Sequence, residues 1–423
     1  LVDIDYNWRN PIMNIRTFGS DPECVRKMGA AYVKEIQKLG LAACPKHFPG
    51  DGRDERDQHL LTSINDFSCE EWDATYGRNY KACIESGTLT VMVGHIMLPS
   101  YERYYNPDIK DEDLLPASLS PVLMKRLLRE KLGFNGLIAT DATTMAGFNI
   151  PMSREKAVPM TIANGADILL MSRNLEEDFR IMLNGVKAGI ITAERLDEAV
   201  TRILGVKAAL KLHKGKRKIT LKNAEKIVGC SSHRDAARRL ADSAITIVKR
   251  EKGVLPLNAE RQKKVLLYPI ETEEKAQGLT AAVSASKKFR NLLEKEGFDI
   301  TVYEPYTEME GNIPPYKDIA NRFDLIIYIV NMVTKSNQTV VRLEWAQPFG
   351  SNTPIYINTV PTIFISLANP YHLIDVPRVK TFINAYSAND ETLEAVVDKL
   401  MGRSEFKGIS PVDAFCGKWD TRL

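Results

Sequence analysis

The chain has 423 residues, 44% of them hydrophobic and 26% charged, with a formal net charge of +3. That is ordinary globular composition, with material for two or three domains. The near-balanced charge and the lack of an aromatic-interleaved basic motif argue against a nucleic-acid partner.

The first half alternates short apolar strands with amphipathic helices. The predicted strands are Leu1–Asp5, Ala42–Phe48, Thr90–Ile96, Gly136–Ala142 and Ile168–Ser172. The predicted helices are Pro22–Leu39, Cys69–Ser86, Pro121–Leu132, Lys156–Asn164, Leu175–Ala188 and Arg195–Leu212. Near-continuous apolar strands separated by helices point to a parallel sheet covered by helices. Polar residues gather where these strands end: Lys46 and His47, His95, and Asp141. In a (β/α)8 barrel that is the catalytic face. A closed barrel needs eight strands, however, so the expectation is an incomplete (β/α)8 TIM-type barrel over residues 1–213. Either strands are concealed in the pattern or the first units are missing. Leu1–Asp5 reads like a strand from mid-protein, which favours the second.

Residues 214–250 read as a Lys-rich linker and a connecting helix, Ser232–Val248. From 251 to 423 a second α/β pattern follows. Its strands are Lys264–Tyr268, Asp299–Tyr303, Leu325–Val330, Thr362–Leu367 and Thr381–Tyr386, and its helices include Leu279–Glu296 and Glu391–Met401. The pattern fits an open doubly wound sheet, an α/β sandwich domain. No GxGxxG or Walker pattern supports a nucleotide role. The six cysteines (24, 44, 69, 83, 230, 416) form no CxxC pair, so neither a disulfide framework nor a cysteine zinc site is expected. Cys44 and Cys83 lie in apolar contexts and read as buried thiols. No apolar run is long enough to cross a bilayer and no signal peptide is visible, which leaves localisation open between cytoplasmic and secreted.

The densest chemistry is Lys46-His47-Phe48-Pro49-Gly50-Asp51-Gly52, followed by Asp57-Gln58-His59. An apolar run ending abruptly in charge looks like a buried strand emptying into a polar site. Asp57 and His59 are two apart, so an extended backbone sends both side chains to one side. A carboxylate beside an imidazole holds its tautomer and favours its protonated form, the equipment of a general acid/base. A solvated loop whose charges do nothing fits the spacing equally well. Asp141, just past Gly136–Thr140, could be a nucleophile, a base, a metal ligand or a helix N-cap.

Three segments together resemble glycoside hydrolase family 3, and within it the β-N-acetylglucosaminidase branch. Asn10 to Pro22 (NPIMNIRTFGSDP) is similar to the family's NP-x-I-x-x-R-S-F-G-x-DP stretch. Lys46 to His59 resembles its KHFPGHG…D-S-H loop. Gly133 to Asp141 (GFNGLIATD) resembles its nucleophile strand. Supporting matches are Pro116–Pro121, Gly165–Met171 and the terminal Phe415–Asp420.

The resemblance implies roles residue by residue. Asp141 would be the nucleophile, and His59 paired with Asp57 the acid/base. Arg16, Lys46 and His47 would hydrogen-bond sugar hydroxyls, and His95 would line the sugar site. Gly50 and Gly52 would let the dyad loop bend over a bound sugar. The implied activity is retaining exo-β-N-acetylglucosaminidase, releasing terminal N-acetylglucosamine from peptidoglycan fragments (muropeptides) or chitooligosaccharides. Rival readings are a β-N-acetylglucosaminide phosphorylase, a β-glucosidase or xylosidase, and a non-catalytic carbohydrate-binding fragment. No metal or organic cofactor is implied, and oligomeric state stays open. Two departures stand out: Asp51 replaces a family histidine and Gln58 the dyad's middle serine. The family also carries a longer segment ahead of the NP-x-I motif. The chain is therefore expected to be an N-terminally truncated piece, inactive alone.

Overall fold

The structure, a computed structural model, describes residues 1–215, 220–271, 284–305, 316–337, 339, 342–346 and 350–418. Contacts divide the chain into two compact units. The first is Leu1–Arg217 with Lys335–Val340; the second is Lys218–Thr334 with Val341–Leu423.

In the first unit, β1 (Ser63–Ile64) pairs in parallel with β3 (Ile96–Met97), and β2 (Thr90–Val93), β4 (Leu137–Ala142) and β5 (Ile168–Leu170) form a parallel sheet in that order. Phe48 adds a parallel bridge to Val93, with Met92 N–H donating to the Pro45 carbonyl and Phe48 N–H to that of Met92. Beyond it, Val2 N–H donates to the Lys46 carbonyl at 3.1 Å. Spatial order thus follows chain order, from residues 2–5 through 45–48 to β2, β4 and β5. That single winding is how a (β/α)8 barrel is built, whereas a doubly wound sheet reverses direction. The arc stays open, and no closed barrel occurs among the described residues.

Leu1–Asp5 and Ala42–Phe48 run extended and largely buried but are not regular strands, contrary to the sequence expectation. Pro45 and Pro49 have no N–H to give a ladder, which breaks the pairing on either side of His47. Thr90–Ile96 is also interrupted, at Gly94-His95. A Cβ on Gly94 would lie 3.0–3.1 Å from the side chains of Ile96, Gln58 and His47, so a larger residue there would press those side chains aside.

The helices fall where the apolar period put them, their C-terminal ends one to three residues earlier: Pro22–Lys38, Leu175–Lys187 and Ala193–Ala209 among them, the last also starting two residues before the expected Arg195. Asp21 caps the first by accepting from Glu23 N–H at 3.0 Å. Cys69–Ser86 is one helical run with a π-turn at Asp73–Gly77. The core clusters Phe48, Trp72, Tyr76, Tyr80, Val91, Val93 and Ile138 between sheet and helices.

The second unit is a six-stranded sheet: β6 (Thr246–Lys249), β7 (Lys264–Glu271), β8 (Asp299–Val302), β9 (Leu325–Asn331), β10 (Thr362–Ser366) and β11 (Thr381–Asn384). Its order is β6-β11-β10-β9-β7-β8, parallel except for β6 against β11. The order reverses beside β7, as in a doubly wound sheet. Two expectations are corrected. The Lys-rich linker contains a helix, Leu221–Ile227, and the connecting helix stops at Ala244, because Ile245-Thr246-Ile247-Val248 is a β-branched run that pairs as an edge strand. Of the expected Leu279–Glu296 helix, Ala285–Lys295 is observed and 279–283 lie outside the described residues, as do Trp419 and Asp420 of the terminal motif. All six cysteines are free; Cys83 is buried, whereas Cys44 is exposed. No described helix is long and apolar enough to cross a membrane.

Candidate active site

Asp141 sits one residue from the C-terminal end of β4, with 16% of its side chain exposed. One oxygen accepts from its neighbour Ala142 N–H at 2.7 Å, and the other lies 3.5 Å from His47 Nε2. Burial alone would raise this carboxyl. The charges of His47, His95 and Lys46 and the Ala142 N–H outweigh it and hold Asp141 below the usual carboxylate range. The carboxylate is therefore ionised, partly open, and surrounded by imidazoles and a cation.

His47 is oriented from behind by Asp3, which the sequence reading passed over. Asp3 is fully buried, and its oxygens accept from the His47 ring Nδ1 (2.9 Å), the His47 backbone N–H (2.9 and 3.0 Å) and Asp51 N–H (2.8 Å). A carboxylate can only accept, so Nδ1 carries the proton and Nε2 faces Asp141. No local signal singled it out: Asp3 alternates with Asp5 along Leu1–Asp5, and its partners lie 44 and 48 residues away in sequence.

Asp57 and His59 are paired as expected. Asp57 Oδ1 accepts from both the ring Nδ1 and the backbone N–H of His59, each at 2.8 Å. Asp57 Oδ2 accepts from Asn337 N–H at 2.6 Å. Asn337 belongs to the Lys335–Val340 segment that groups with this unit, and it had no sequence signal. Burial would raise Asp57, but these hydrogen bonds prevail and hold it below its ordinary value. The Asp57 side chain is buried while the imidazole stays 29% exposed. The pair is a buried carboxylate holding a part-exposed imidazole.

The loop after β4, with the short helix Ala146–Asn149 that it leads into, holds the dyad in place. The backbone N–H of Ala146 donates to the His59 carbonyl (3.1 Å) and that of Gly147 to the Gln58 carbonyl (3.2 Å). Arg154 clamps this loop, donating to the Thr143 carbonyl at 2.8 Å while gripping Asp178 through two bonds of 2.6–2.7 Å. The segment after Asp141 and the Asp57–His59 loop are thus one hydrogen-bonded assembly.

Other expected site residues are placed differently from one another. Lys46 is half-buried and contributes positive charge to Asp141. His95 is fully buried with both ring nitrogens engaged. Nε2 donates to the Ala142 carbonyl (3.0 Å), which leaves Nδ1 to accept from Ser118 Oγ (2.9 Å). Burial pushes its pKa down to about 4, against the pull of Asp141. Its Nε2 bond supports the turn after Asp141, and the charges of Asp141, His47 and His59 all act on the ring. Arg16 is exposed and its guanidinium donates to the Ile12 carbonyl at 3.4 Å. Gly50 and Gly52 have φ of +122° and +107°, and a Cβ there would lie 2.2 Å from the Tyr76 ring and 1.9 Å from the Ile4 carbonyl oxygen. They are glycines because the loop is wedged against its neighbours, not because a hinge is visible.

Residues 1–206 match the family described as Glycosyl hydrolase family 3 N terminal domain. A Cellulomonas fimi protein named β-N-acetylglucosaminidase/β-glucosidase is 51% identical over the whole chain, which spans 75% of that relative. A Pseudoalteromonas piscicida protein named β-hexosaminidase A is 29% identical over 72% of the chain and 51% of its own length. The structure titled β-glucoside phosphorylase BglX superposes with a TM-score of 0.93 at 46% identity, over 100% of this chain and 75% of that one. A Paenibacillus sp. family 3 β-N-acetylglucosaminidase shares the fold at a TM-score of 0.77 and 23% identity, over 98% of this chain and 75% of that one. The chain belongs to glycoside hydrolase family 3.

Proposed function

We propose that the site transfers a terminal β-linked N-acetylglucosamine with retention of configuration, from chitooligosaccharides or peptidoglycan fragments. The observation that supports it best is the pairing of an ionised, part-exposed Asp141 with an accessible His59 anchored by Asp57, in one hydrogen-bonded assembly. In the first step the Asp141 carboxylate attacks the anomeric carbon as His59 gives its proton to the departing oxygen. A glycosyl ester forms and the aglycone leaves as an alcohol. In the second step neutral His59 takes a proton from water, whose oxygen attacks the anomeric carbon and releases the sugar and Asp141. Two-carboxyl retaining glycosidases use the same sequence; here the proton carrier is an imidazole, whose free pKa of about 6.5 suits both roles. Lys46 and His47 keep Asp141 anionic and offer donors to sugar hydroxyls. Arg16 takes part only if substrate draws it in.

The test is His59→Ala. Activated aryl β-N-acetylglucosaminides need little protonation, so their glycosylation step survives while poor leaving groups are lost. A burst accumulates, and azide restores turnover because it needs no base. Equal loss on every leaving group, with no response to azide, contradicts the assignment.

A second reading has a specific support. The 46% identical structure is titled a phosphorylase, and a neutral imidazole repels incoming phosphate less than a carboxylate would. Phosphate then replaces water in the second step and the product is the sugar 1-phosphate. Phosphorus NMR of a turnover mixture containing phosphate separates the two acceptors directly.

A further inference from the structure

We infer that Asp51 and Gln58, the two residues at which the Lys46–His59 segment departs from the family pattern, form a buried positioning pair that fixes the dyad loop. The inference rests on the reading of His59 as the acid/base.

Asp51 and Gln58 are seven residues apart and both buried, with Gln58 at 0% exposure. Gln58 Nε2 donates to Asp51 Oδ2 at 3.3 Å. The amide orientation is fixed at its other end, because Gln58 Oε1 accepts from His95 N–H at 3.0 Å and a backbone N–H needs an acceptor. Asp51 is fixed in turn: Oδ1 accepts from Asn10 Nδ2 (2.8 Å) and Gly52 N–H (2.7 Å), its own N–H donates to Asp3, and its carbonyl accepts from the Tyr76 hydroxyl at 2.8 Å. The residue between Asp57 and His59 is thereby tied to the break after β2 and to the Asp3 centre that orients His47. The pair joins the proton carrier to the nucleophile's own support. Burial first, then the neighbouring Asp3 charge, raise Asp51 above the ordinary carboxylate range, and the bonds from Gly52 N–H and Asn10 to its Oδ1 oppose them.

The chemistry predicts a polarity swap. In Asp51→Asn, the introduced amide oxygen keeps the bonds from Asn10 and Gly52, so the introduced NH2 faces the Gln58 NH2, donor against donor. In the double variant Asp51→Asn/Gln58→Glu, one oxygen of the introduced carboxylate still accepts from His95 N–H. Its other oxygen accepts from the introduced NH2 at position 51, which restores the bond in reverse. The experiment measures kcat and KM of both variants, alongside His59→Ala, on aryl glycosides of graded leaving-group ability, with and without azide, and records thermal melting.

Loosening a catalytic group by a fraction of an ångström to an ångström costs on the order of 10- to 100-fold. Asp51→Asn is expected to lose about that factor in kcat on poor leaving groups. It should keep activated ones and respond to azide, as His59→Ala does. The double variant should recover most of the loss. An Asp51→Asn enzyme that is unimpaired, or slowed equally on all leaving groups, overturns the inference. So does a double variant no better than the single one, which keeps the test decisive if Asp51→Asn alone fails to fold. If His59→Ala itself shows no leaving-group dependence, the reading of His59 has failed rather than the pair.

Discussion

Asp3→Asn is the most exacting perturbation of the site that leaves shape nearly unchanged. Asp3 is fully buried and accepts at 2.8–3.0 Å from the His47 ring, the His47 N–H and the Asp51 N–H. The amide oxygen of asparagine can keep the two backbone donors, but its NH2 then faces His47 Nδ1. That nitrogen must give up its proton to accept, which moves the proton to Nε2, opposite Asp141. One charge-assisted bond is lost, worth about 1.5–3 kcal/mol, and two are weakened, so the total is about 2–4 kcal/mol. For a unit of this size that lowers the melting temperature by roughly 5–15 °C. The pH dependence has a definite sign. Burial would raise the Asp3 carboxyl, but the charge and hydrogen bonds of His47 outweigh it and leave the folded value below the ordinary one. Its stabilisation is therefore present above the usual carboxylate range and lost as pH falls through the folded value. Thermal melts of both proteins between about pH 3 and pH 8 should show a gap that is full at neutrality and shrinks in acid. An unchanged melting temperature near neutral pH, or a gap that widens on acidification, refutes the reasoning.

Two further outcomes follow from close packing and buried charge. A Cβ on Gly147 would stand 2.6 Å from the Gln58 carbonyl oxygen and 3.0 Å from the His95 Cβ. Gly147→Ala should therefore cost about 1–3 kcal/mol and slow poor leaving groups more than good ones, read from melting and from kinetics on graded aryl glycosides. Asp167, buried just before β5, accepts from Arg195 (2.5 Å), Arg129 (2.8 Å) and the Ile138 N–H (2.9 Å) at the opposite end of the strands from Asp141. Asp167→Ala removes the buried carboxylate that Arg129 and Arg195 share, leaving Arg195 only Glu198 as an ion-pair partner, so urea unfolding should show a loss of about 3–5 kcal/mol, with the leaving-group dependence of the surviving enzyme unchanged.

Much of the fold was legible because its signals are local. Apolar runs with turn residues at both ends located β4, β5 and the parallel strands of the second unit, and helical spacing located Pro22–Lys38 and Ala193–Ala209. What failed was competition between local signals. Ile245–Val248 continued the apolar helix pattern, yet its β-branched residues pair better in a sheet. Pro45 and Pro49 deprived a correctly placed extended segment of the donors a ladder needs. At the site, Asp57, His59, His47 and Asp141 could be named because they cluster in motifs; the structure pairs Asp57 with His59 and sets His47 beside Asp141. Asp3, Asn337 and Arg154 could not. Each acts through a contact distant in sequence, and such pairings are set by topology rather than by spacing. His95 was visible, but not that both its nitrogens are taken inside the protein.

The central claim is that Asp141 becomes covalently bonded to the sugar. Incubation with a mechanism-based fluorosugar, followed by protease digestion and mass spectrometry of the peptides, tests it most directly. The account predicts one added glycosyl group, carried by the peptide that contains Asp141 and absent from Asp141→Asn. A label on a different carboxylate, with Asp141 unmodified, would contradict it.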